Sequence, residues 1–217
     1  MLLRSLHPAS ILLFSVTLSL GLGCPLERRD PPGNPVARVW HNGKYFLTLS
    51  DPASGLVANG VAVSGRDIYT VGTQFKAGRC RIVLLKNGAV LPAPPDPARP
   101  AEGLAVAVAG GDVYVAGYES RQVGEERVDV AEIWKNGDPV ALTDGRCGAK
   151  ASAVAVADGD VFAGGYECLG GNRVAKVWKN GALLATLSDG TGAAEARALA
   201  VRGTDVYVAG FDTVQAR

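Results

Sequence analysis

The sequence predicts an all-β fold made of four repeated units, each with four strands. Four Asn-Gly pairs recur along the 217 residues, and their glycines are separated by 45, 49 and 44 residues. An apolar stretch that ends in Asp recurs with spacings of 45, 48 and 45 residues. Two independent landmarks with one period indicate a structural repeat of about 45 residues. The landmarks are Asn42-Gly43, Asn87-Gly88, Asn136-Gly137 and Asn180-Gly181, and Asp67, Asp112, Asp160 and Asp205.

The strands of one unit follow from its turn residues. Asn-Gly and Gly-Gly pairs between apolar runs favour tight hairpins, because a type I′ turn needs positive φ at both central residues. Helical periodicity is absent, and a loop over 119–127 separates the two hairpins. We predict an innermost strand over 104–109, a second over 113–118, a third over 130–135 and an outermost strand over 139–143.

The arrangement of the units follows from which strand faces are apolar. Val113, Tyr114, Val115 and Ala116 are consecutive apolar residues, as expected of a sheet covered on both faces. Four-stranded sheets stacked radially at this period form a β-propeller. Small residues recur at one position of the innermost strand, which suits strands crowded around an axis: Ala62, Ala107, Ala155 and Ala200.

The order of strands predicts how the propeller closes. The repeat domain, 36–217, begins with a third and a fourth strand and ends with a first and a second. We expect the N-terminal pair to complete the blade begun by the C-terminal pair, because natural sheets avoid open edges. This gives a closed ring of four blades. Two alternatives are an open arc from a larger ring, and an arc that dimerises into a larger ring.

The first 35 residues have the pattern of an export leader and a tether. Residues 1–23 contain Arg4 and a short apolar stretch, as in a signal peptide, and 24–35 form a Pro-rich linker. The sequence before Cys24 resembles the bacterial lipoprotein cleavage box, although Gly21 stands where Leu, Val or Ile is usual. We expect a lipid on Cys24 and a location in the bacterial cell envelope, periplasmic or at the cell surface. Ordinary signal cleavage that leaves a plain thiol is the alternative.

The repeat motifs also carry a family resemblance. Trp-Lys-Asn-Gly at 134–137 and 178–181, Leu-Thr-Asp-Gly at 142–145 and Val-Tyr-Val-Ala-Gly-Tyr-Glu at 113–119 are the motifs concerned. They resemble those of a large set of uncharacterised bacterial secreted and lipoprotein-type repeat proteins. The resemblance covers 36–217 and implies a β-propeller. It implies no known chemistry.

Composition excludes several functional classes. Lys and Arg number 22 against 21 Asp and Glu, so the chain has no electrostatic footprint for nucleic acid or for an anionic membrane surface. The only histidines are His7 and His41, and His7 lies in the leader. This nearly excludes Ser-His-Asp and Cys-His catalysis and multi-His zinc sites. We expect no cofactor and no bound metal.

Three cysteines remain after Cys24. Cys147 and Cys168 fall in loops on one face of the same predicted blade, which makes a disulfide between them plausible in an oxidising compartment. Cys80 would then be left odd. Free thiols are the main alternative, whereas a three-Cys metal site does not fit the spacings.

The same face collects candidate ligand-binding residues. Glu119, Glu167 and Asp212 follow second strands at equivalent positions, and a ring of such carboxylates could bind a cation or a basic or sugar-like ligand. Simple turn chemistry is the alternative for the acidic groups, and packing between blades is the alternative for the aromatic ones. Trp40, Trp134 and Trp178 occupy a repeated strand position that suits core packing. The remaining candidates on this face are Asp144, Asp189, Tyr118 and Tyr166.

These observations favour a non-enzymatic binding or scaffold module, monomeric or dimeric, with an unidentified protein or glycan ligand. Its only contact with a membrane would be the N-terminal lipid. Repetition without a unique catalytic cluster is the reason, since binding residues usually lie in variable loops on a rigid scaffold. One alternative is a carboxylate-dependent glycosidase or lyase on the loop face. Another is a truncated propeller fragment without an independent function.

Overall fold

The structure, a computed structural model, describes residues 35–92 and 99–213, and this part of the chain is all-β. It contains sixteen strands and no helix in those ranges. The strands are β1 (Arg38–His41), β2 (Lys44–Thr48), β3 (Leu56–Ser64), β4 (Asp67–Lys76), β5 (Arg79–Lys86), β6 (Ala89–Val90), β7 (Ala101–Ala109), β8 (Asp112–Val123), β9 (Glu126–Lys135), β10 (Asp138–Ala141), β11 (Ala149–Ala157), β12 (Asp160–Leu169), β13 (Asn172–Lys179), β14 (Ala182–Thr186), β15 (Ala194–Arg202) and β16 (Asp205–Asp212).

Twelve of these strands form three antiparallel four-stranded sheets. Each sheet uses four consecutive strands in chain order: β3 to β6, β7 to β10, and β11 to β14. The all-β class and the four-stranded antiparallel unit are therefore confirmed. The sheets follow the 45-residue period, so each unit of sequence forms one sheet.

The remaining four strands do not join as predicted. β1 pairs with β2, and β15 pairs with β16, as two separate two-stranded sheets. Within the described ranges β1 does not pair with β16, so the expected closure through the terminal strands is not formed. The two terminal hairpins pack at opposite ends of the series of sheets. The β1–β2 hairpin packs on the β3–β6 sheet through Ala37 and Leu49, whereas β15 packs on β11, so β1 and β16 of the described chain do not pair.

The predicted Asn-Gly turns are present. Asn136 has φ of 50° and Gly137 has φ of 100°, and the other three pairs have the same signs. An Asn tolerates this left-handed conformation and Gly adopts it freely, so these residues fix a type I′ hairpin. The turns set the register of the third and fourth strands in each unit.

A side-chain clamp links the two sequence landmarks. The Asn136 side chain accepts a hydrogen bond from the Val113 N–H (2.9 Å) and donates one to Asp112 (2.7 Å). Lys135 forms an ion pair with the same Asp112 carboxylate at 2.7 Å. The clamp ties the outer hairpin to the start of the second strand, which explains why Lys-Asn-Gly and Asp recur together. It is repeated at Lys86, Asn87 and Asp67 and at Lys179, Asn180 and Asp160.

The core lies between successive sheets. Trp134 packs in a cluster shared by the β3–β6 and β7–β10 sheets, and Trp178 in a cluster shared by the next two. Leu85 occupies the equivalent place against the β1–β2 hairpin. The packing role predicted for the tryptophans is confirmed at these two positions, whose side chains are buried. It is wrong at Trp40, which is 62% exposed because no sheet in the described part of the chain covers that side of β1.

One predicted loop is mostly strand. Residues 119–127 continue β8 and begin β9, with Glu119 opposite Val130 and a turn at Gly124, whose φ is 63°. Pairing of the alternating polar side chains across this hairpin accounts for the extension.

Candidate functional site

The inner strands of all four units line one cavity system. β3, β7, β11 and β15 each carry a β-bulge, where the pairing register shifts by one residue. A bulge leaves one residue unpaired and re-aims its side chain. The four residues at the shifts are Asn59, Leu104, Ser152 and Arg197, and all four line both a cavity of about 520 Å³ and a neighbouring one of about 290 Å³. We call the larger one the axial cavity.

Near each bulge, a glycine of the second strand lies close to a backbone carbonyl of the inner strand. A Cβ added to Gly117 of β8 would lie 1.9 Å from the Glu102 carbonyl oxygen, and Gly165 and Gly210 meet the equivalent carbonyls at the same distance. Only glycine leaves room for that contact. Part of the high glycine content therefore serves the cavity wall and not the hairpin turns.

The axial cavity is lined by charges of both signs. Lys150, Arg173 and Arg197 supply three cations, and Glu102 and Glu195 supply two carboxylates. Glu195 accepts a hydrogen bond from the Ser152 hydroxyl at 2.7 Å and forms an ion pair with Arg197 at 3.6 Å. This lining can donate and accept several hydrogen bonds to a polar ligand.

Aromatic rings position two of the cations. The Lys150 ammonium lies 4.4 Å from the centroid of the Tyr118 ring, and the Arg173 guanidinium lies 4.8 Å from that of Tyr166. These are favourable cation–π distances. Within the described part of the chain, Lys150 forms no ion pair with a carboxylate. Its charge is therefore available to an anionic ligand.

Of the candidate ligand-face residues, the two tyrosines lie in the axial cavity. Tyr118 and Tyr166 are both part of its lining. The three carboxylates predicted beside them, Glu119, Glu167 and Asp212, are not. Glu167 instead forms an ion pair with Lys176, and Asp212 lines a separate cavity next to β16.

Glu119 belongs to a buried ionic cluster in the β8–β9 hairpin. It accepts hydrogen bonds from Arg99 at 2.9 Å and from Arg121 at 3.0 Å. Arg121 also forms an ion pair with Glu132, whose side chain is fully buried. Burial raises the pKa of Glu132 to about 7, while the charge of Arg121 lowers it and that of Glu119 raises it further.

Asp144 and Asp189 cap loops. The Asp144 carboxylate accepts a hydrogen bond from the Arg146 N–H at 3.0 Å, and that of Asp189 accepts one from the Thr191 N–H at 2.9 Å. The hydrogen bond from the Thr191 backbone holds the pKa of Asp189 below its usual value. These contacts are the turn chemistry named above as the alternative to ligand binding.

Cys147 and Cys168 form a disulfide, with Cα atoms 5.5 Å apart. Cys80 is disulfide-bonded as well, so the expectation that it is left odd is wrong. Cys80 lies on β5, and Cys168 lies on β12 and not in a loop as expected. Cys24, the predicted leader 1–23 and most of the predicted linker 24–35 lie outside the described residues.

The charged residues of the axial cavity were missed by the sequence analysis. Glu102, Lys150 and Glu195 occupy one equivalent position on three inner strands, just before the bulge. Aligning the beginnings of these strands would have shown polar residues at a position that should be apolar in a core strand. The bulges themselves leave no clear sequence signal.

No model of a known protein family and no curated protein matches this sequence. In the described ranges, no group of three or more His, Cys, Asp or Glu side chains is placed to hold a metal ion. The same ranges contain no helix long and apolar enough to cross a membrane.

Proposed function

We propose that this protein is a non-enzymatic binding module whose ligand occupies the axial cavity. The observation that carries the proposal is Lys150, a cation held over the Tyr118 ring in a polar cavity of about 520 Å³ with no carboxylate partner in the described chain. Polar groups that converge in a concave site are typical of a ligand pocket.

The ligand that fits this lining is an anionic glycan. The Lys150 cation favours a carboxylate or another anionic group, and the nearby Ser152 hydroxyl and Glu195 carboxylate can bond to sugar hydroxyls. A neutral or basic ligand would leave the charge of Lys150 without a partner. Within the glycan class we therefore favour acidic sugars.

We also propose that the sheets are blades of a β-propeller. Support comes from the order of packing, in which each four-stranded sheet contacts the next one along the chain, and from the inner strands of all four units lining the same cavities. An arc around an axis places the first and the fourth inner strands on a common channel, whereas a flat stack would separate them.

The proposed location is the bacterial cell envelope, with a lipid on Cys24 as the tether. The sequence around Cys24 supports it. A lipid thioether and a disulfide exclude each other at one sulfur, so fatty-acid labelling also decides which of the two Cys24 carries. Cells expressing the full chain and fed a radiolabelled fatty acid should label it, and Cys24→Ser should abolish the label. An unlabelled wild type would contradict the tether.

Ligand binding is tested with oligogalacturonate and with a neutral oligosaccharide of the same length. We expect the full chain to bind the acidic oligomer in calorimetry and the neutral one at least tenfold more weakly, because one buried charge contact is worth about 1.4 kcal/mol or more. Lys150→Met should lower the affinity for the acidic oligomer by a similar factor. Lys76→Met, which removes an exposed cation that does not line the cavity, is the matched control.

Two results would overturn the assignment. Equal binding of both oligomers, or of wild type and Lys150→Met, would show that Lys150 does not bind the ligand. Release of reducing ends from the oligosaccharide would indicate hydrolysis and would favour the glycosidase alternative instead.

A further inference from the structure

Within the described ranges, two faces at opposite ends of the series of sheets lack the partner sheet that their equivalents have. Trp40 on β1 is 62% exposed, whereas Trp134 and Trp178 are buried. Tyr207 on β16 is 53% exposed, whereas Tyr114 at the same position of the repeat is buried. We call these the β1 face and the β16 face.

A cavity beside β16 is lined by the counterparts of the residues that surround Trp178 one repeat unit earlier. Trp178 packs with Ala and Leu side chains from the preceding sheet and from its own inner strand. The residues 44 or 45 positions later line a cavity of about 240 Å³. The Trp178 neighbours are Ala131, Leu142, Ala149, Ala151 and Ala163, and their counterparts in the cavity are Ala175, Leu187, Ala194, Ala196 and Val208.

Each face also carries one half of the polar clamp between the turn Asn and the Asp that begins the second strand. In three units the side chain of the turn Asn binds two groups at the start of the second strand. One is the Asp carboxylate, and the other is the backbone N–H of the residue after that Asp. On the β16 face Asp205 and the Val206 N–H stand at those two positions, and on the β1 face Asn42 has the same φ of 50° as its equivalents. Within the described residues these groups do not meet, so the two faces carry complementary halves of one contact.

The backbone edges match in register. In complete sheets the second strand pairs with the third so that Tyr114 lies opposite Lys135 and Ala163 lies opposite Trp178. Applied to β16 and β1, the same register places Tyr207 opposite His41 and Val208 opposite Trp40. That pairing brings the Trp40 side chain to the cavity beside β16.

We propose that the β1–β2 hairpin of one copy docks on β15–β16 of a second copy, with Trp40 in the cavity beside β16. The hairpin of the same chain already packs on the β3–β6 sheet, yet its Trp40 stays exposed, and no tryptophan of the described chain lines the cavity. A second copy therefore supplies the occupant. The docking does not depend on the proposed ligand.

Reciprocal docking gives a closed two-fold dimer. Each copy donates one hairpin and accepts one, so two composite four-stranded sheets form and no strand edge at these faces stays open. With three complete sheets from each copy, the pair has eight sheets in total, which lies within the usual range of propellers. This ring size, unlike the docking, rests on the proposed propeller arrangement.

Cross-linking tests the register and distinguishes a second copy from the same chain. Full-length His41→Cys and Tyr207→Cys chains with different tags are mixed under mild oxidation. We expect a disulfide-linked heterodimer joined through these two residues, identified by mass spectrometry of the linked peptide. A mixture of His41→Cys with Leu169→Cys, an exposed position at the end of β12 in the complete β11–β14 sheet, should give no such product.

The chain that carries both His41→Cys and Tyr207→Cys gives the decisive comparison. Second-copy docking predicts linked dimers from it. A linked monomer without dimer would indicate closure by its own hairpin and would overturn the proposal. Absence of this linkage in both experiments would overturn the docking register as well.

Mass in solution tests the role of Trp40. We expect the full chain to be dimeric in light scattering, and Trp40→Ala to weaken dimerisation roughly 30-fold or more, because a buried Trp anchor contributes about 2 kcal/mol or more to an interface. Leu169→Ala, which truncates an equally exposed side chain elsewhere, should leave the dimer intact. A wild type that is folded by circular dichroism and monomeric would overturn the proposal.

Discussion

The buried carboxyl of Glu132 is the most perturbed acidic group of the described chain. Its side chain is fully buried, and one carboxyl oxygen, Oε2, has no hydrogen-bond partner there. Arg121 binds the other oxygen but is itself shared with Glu119. Burial disfavours the charged carboxylate, and Arg121 offsets only part of that cost. The protonated form is therefore favoured, and the pKa of Glu132 rises to about 7.

This pKa predicts a pH dependence of stability. The folded state keeps the proton of Glu132 up to about pH 7, whereas the unfolded chain releases it near 4.5. The free energy of unfolding should therefore decrease between these pH values, by up to about 1.4 kcal/mol per pH unit. Glu132→Gln removes the titration, so its stability relative to wild type should increase from pH 5 to pH 8 in urea unfolding.

Glu126→Gln is the control for that prediction, because Glu126 is an exposed carboxylate on the same strand. Its stability relative to wild type should not change over this range. A pH-independent difference between wild type and Glu132→Gln would mean that Glu132 is ionised throughout.

At the scale of elements, the sequence predicts turns and strand types well, and strand ends and bulges less well. Asn136-Gly137 forms the expected turn because only a few residue types adopt two successive positive φ values. The extension of β8 to Val123 depends on side-chain pairing across the hairpin, which local propensity does not encode. The bulge at Leu104 depends on how close Gly117 lies to the neighbouring carbonyl, a tertiary contact.

The Asn136 clamp gives a prediction for the outer hairpin. Asn136→Gly keeps the backbone conformation and removes the bonds to the Val113 N–H and to Asp112, so we expect a loss of about 1 kcal/mol. Asn136→Ala also forces Ala into a left-handed conformation, which costs about 1 kcal/mol more. Thermal unfolding of both variants separates the two contributions. A glycine variant as stable as wild type would show that the clamp does not stabilise the fold.

The Cys147–Cys168 disulfide should stabilise the loop that leads into the β11–β14 sheet. It closes 21 residues, for which loop entropy predicts about 3 kcal/mol. The double variant Cys147→Ser/Cys168→Ser should lose that amount in urea unfolding. In this variant, a reductant can change the stability only by breaking the disulfide bond of Cys80, because the Cys147–Cys168 bond is already absent. A loss well below 1 kcal/mol would contradict a structural role for this bridge.

For the whole molecule, the repeat period predicts the sheets but not the way the series ends. The period is set by turn residues, and the turns form through interactions between residues close together in the sequence. Three sheets therefore form at the positions that the sequence predicts. Closure between β1 and β16 depends on the angle between successive sheets, which is set by packing around residues such as Trp134 and Trp178. The mixed charges of the axial cavity were missed for a similar reason, since Glu102, Lys150 and Glu195 become neighbours only when three inner strands line one cavity.

Because each sheet packs on the next one along the chain, weakening one interface between two sheets should destabilise mainly the sheets at that interface. Trp178 fills the cluster between the β7–β10 and β11–β14 sheets, and truncating a buried Trp costs about 3–5 kcal/mol. In repeat architectures such a loss acts mainly between nearest neighbours. We therefore expect Trp178→Ala to raise hydrogen exchange in β11 to β16 more than in β3 to β6, measured by mass spectrometry of peptides. Leu169→Ala should change neither region, and an equal increase in both would show that the sheets unfold as one cooperative unit.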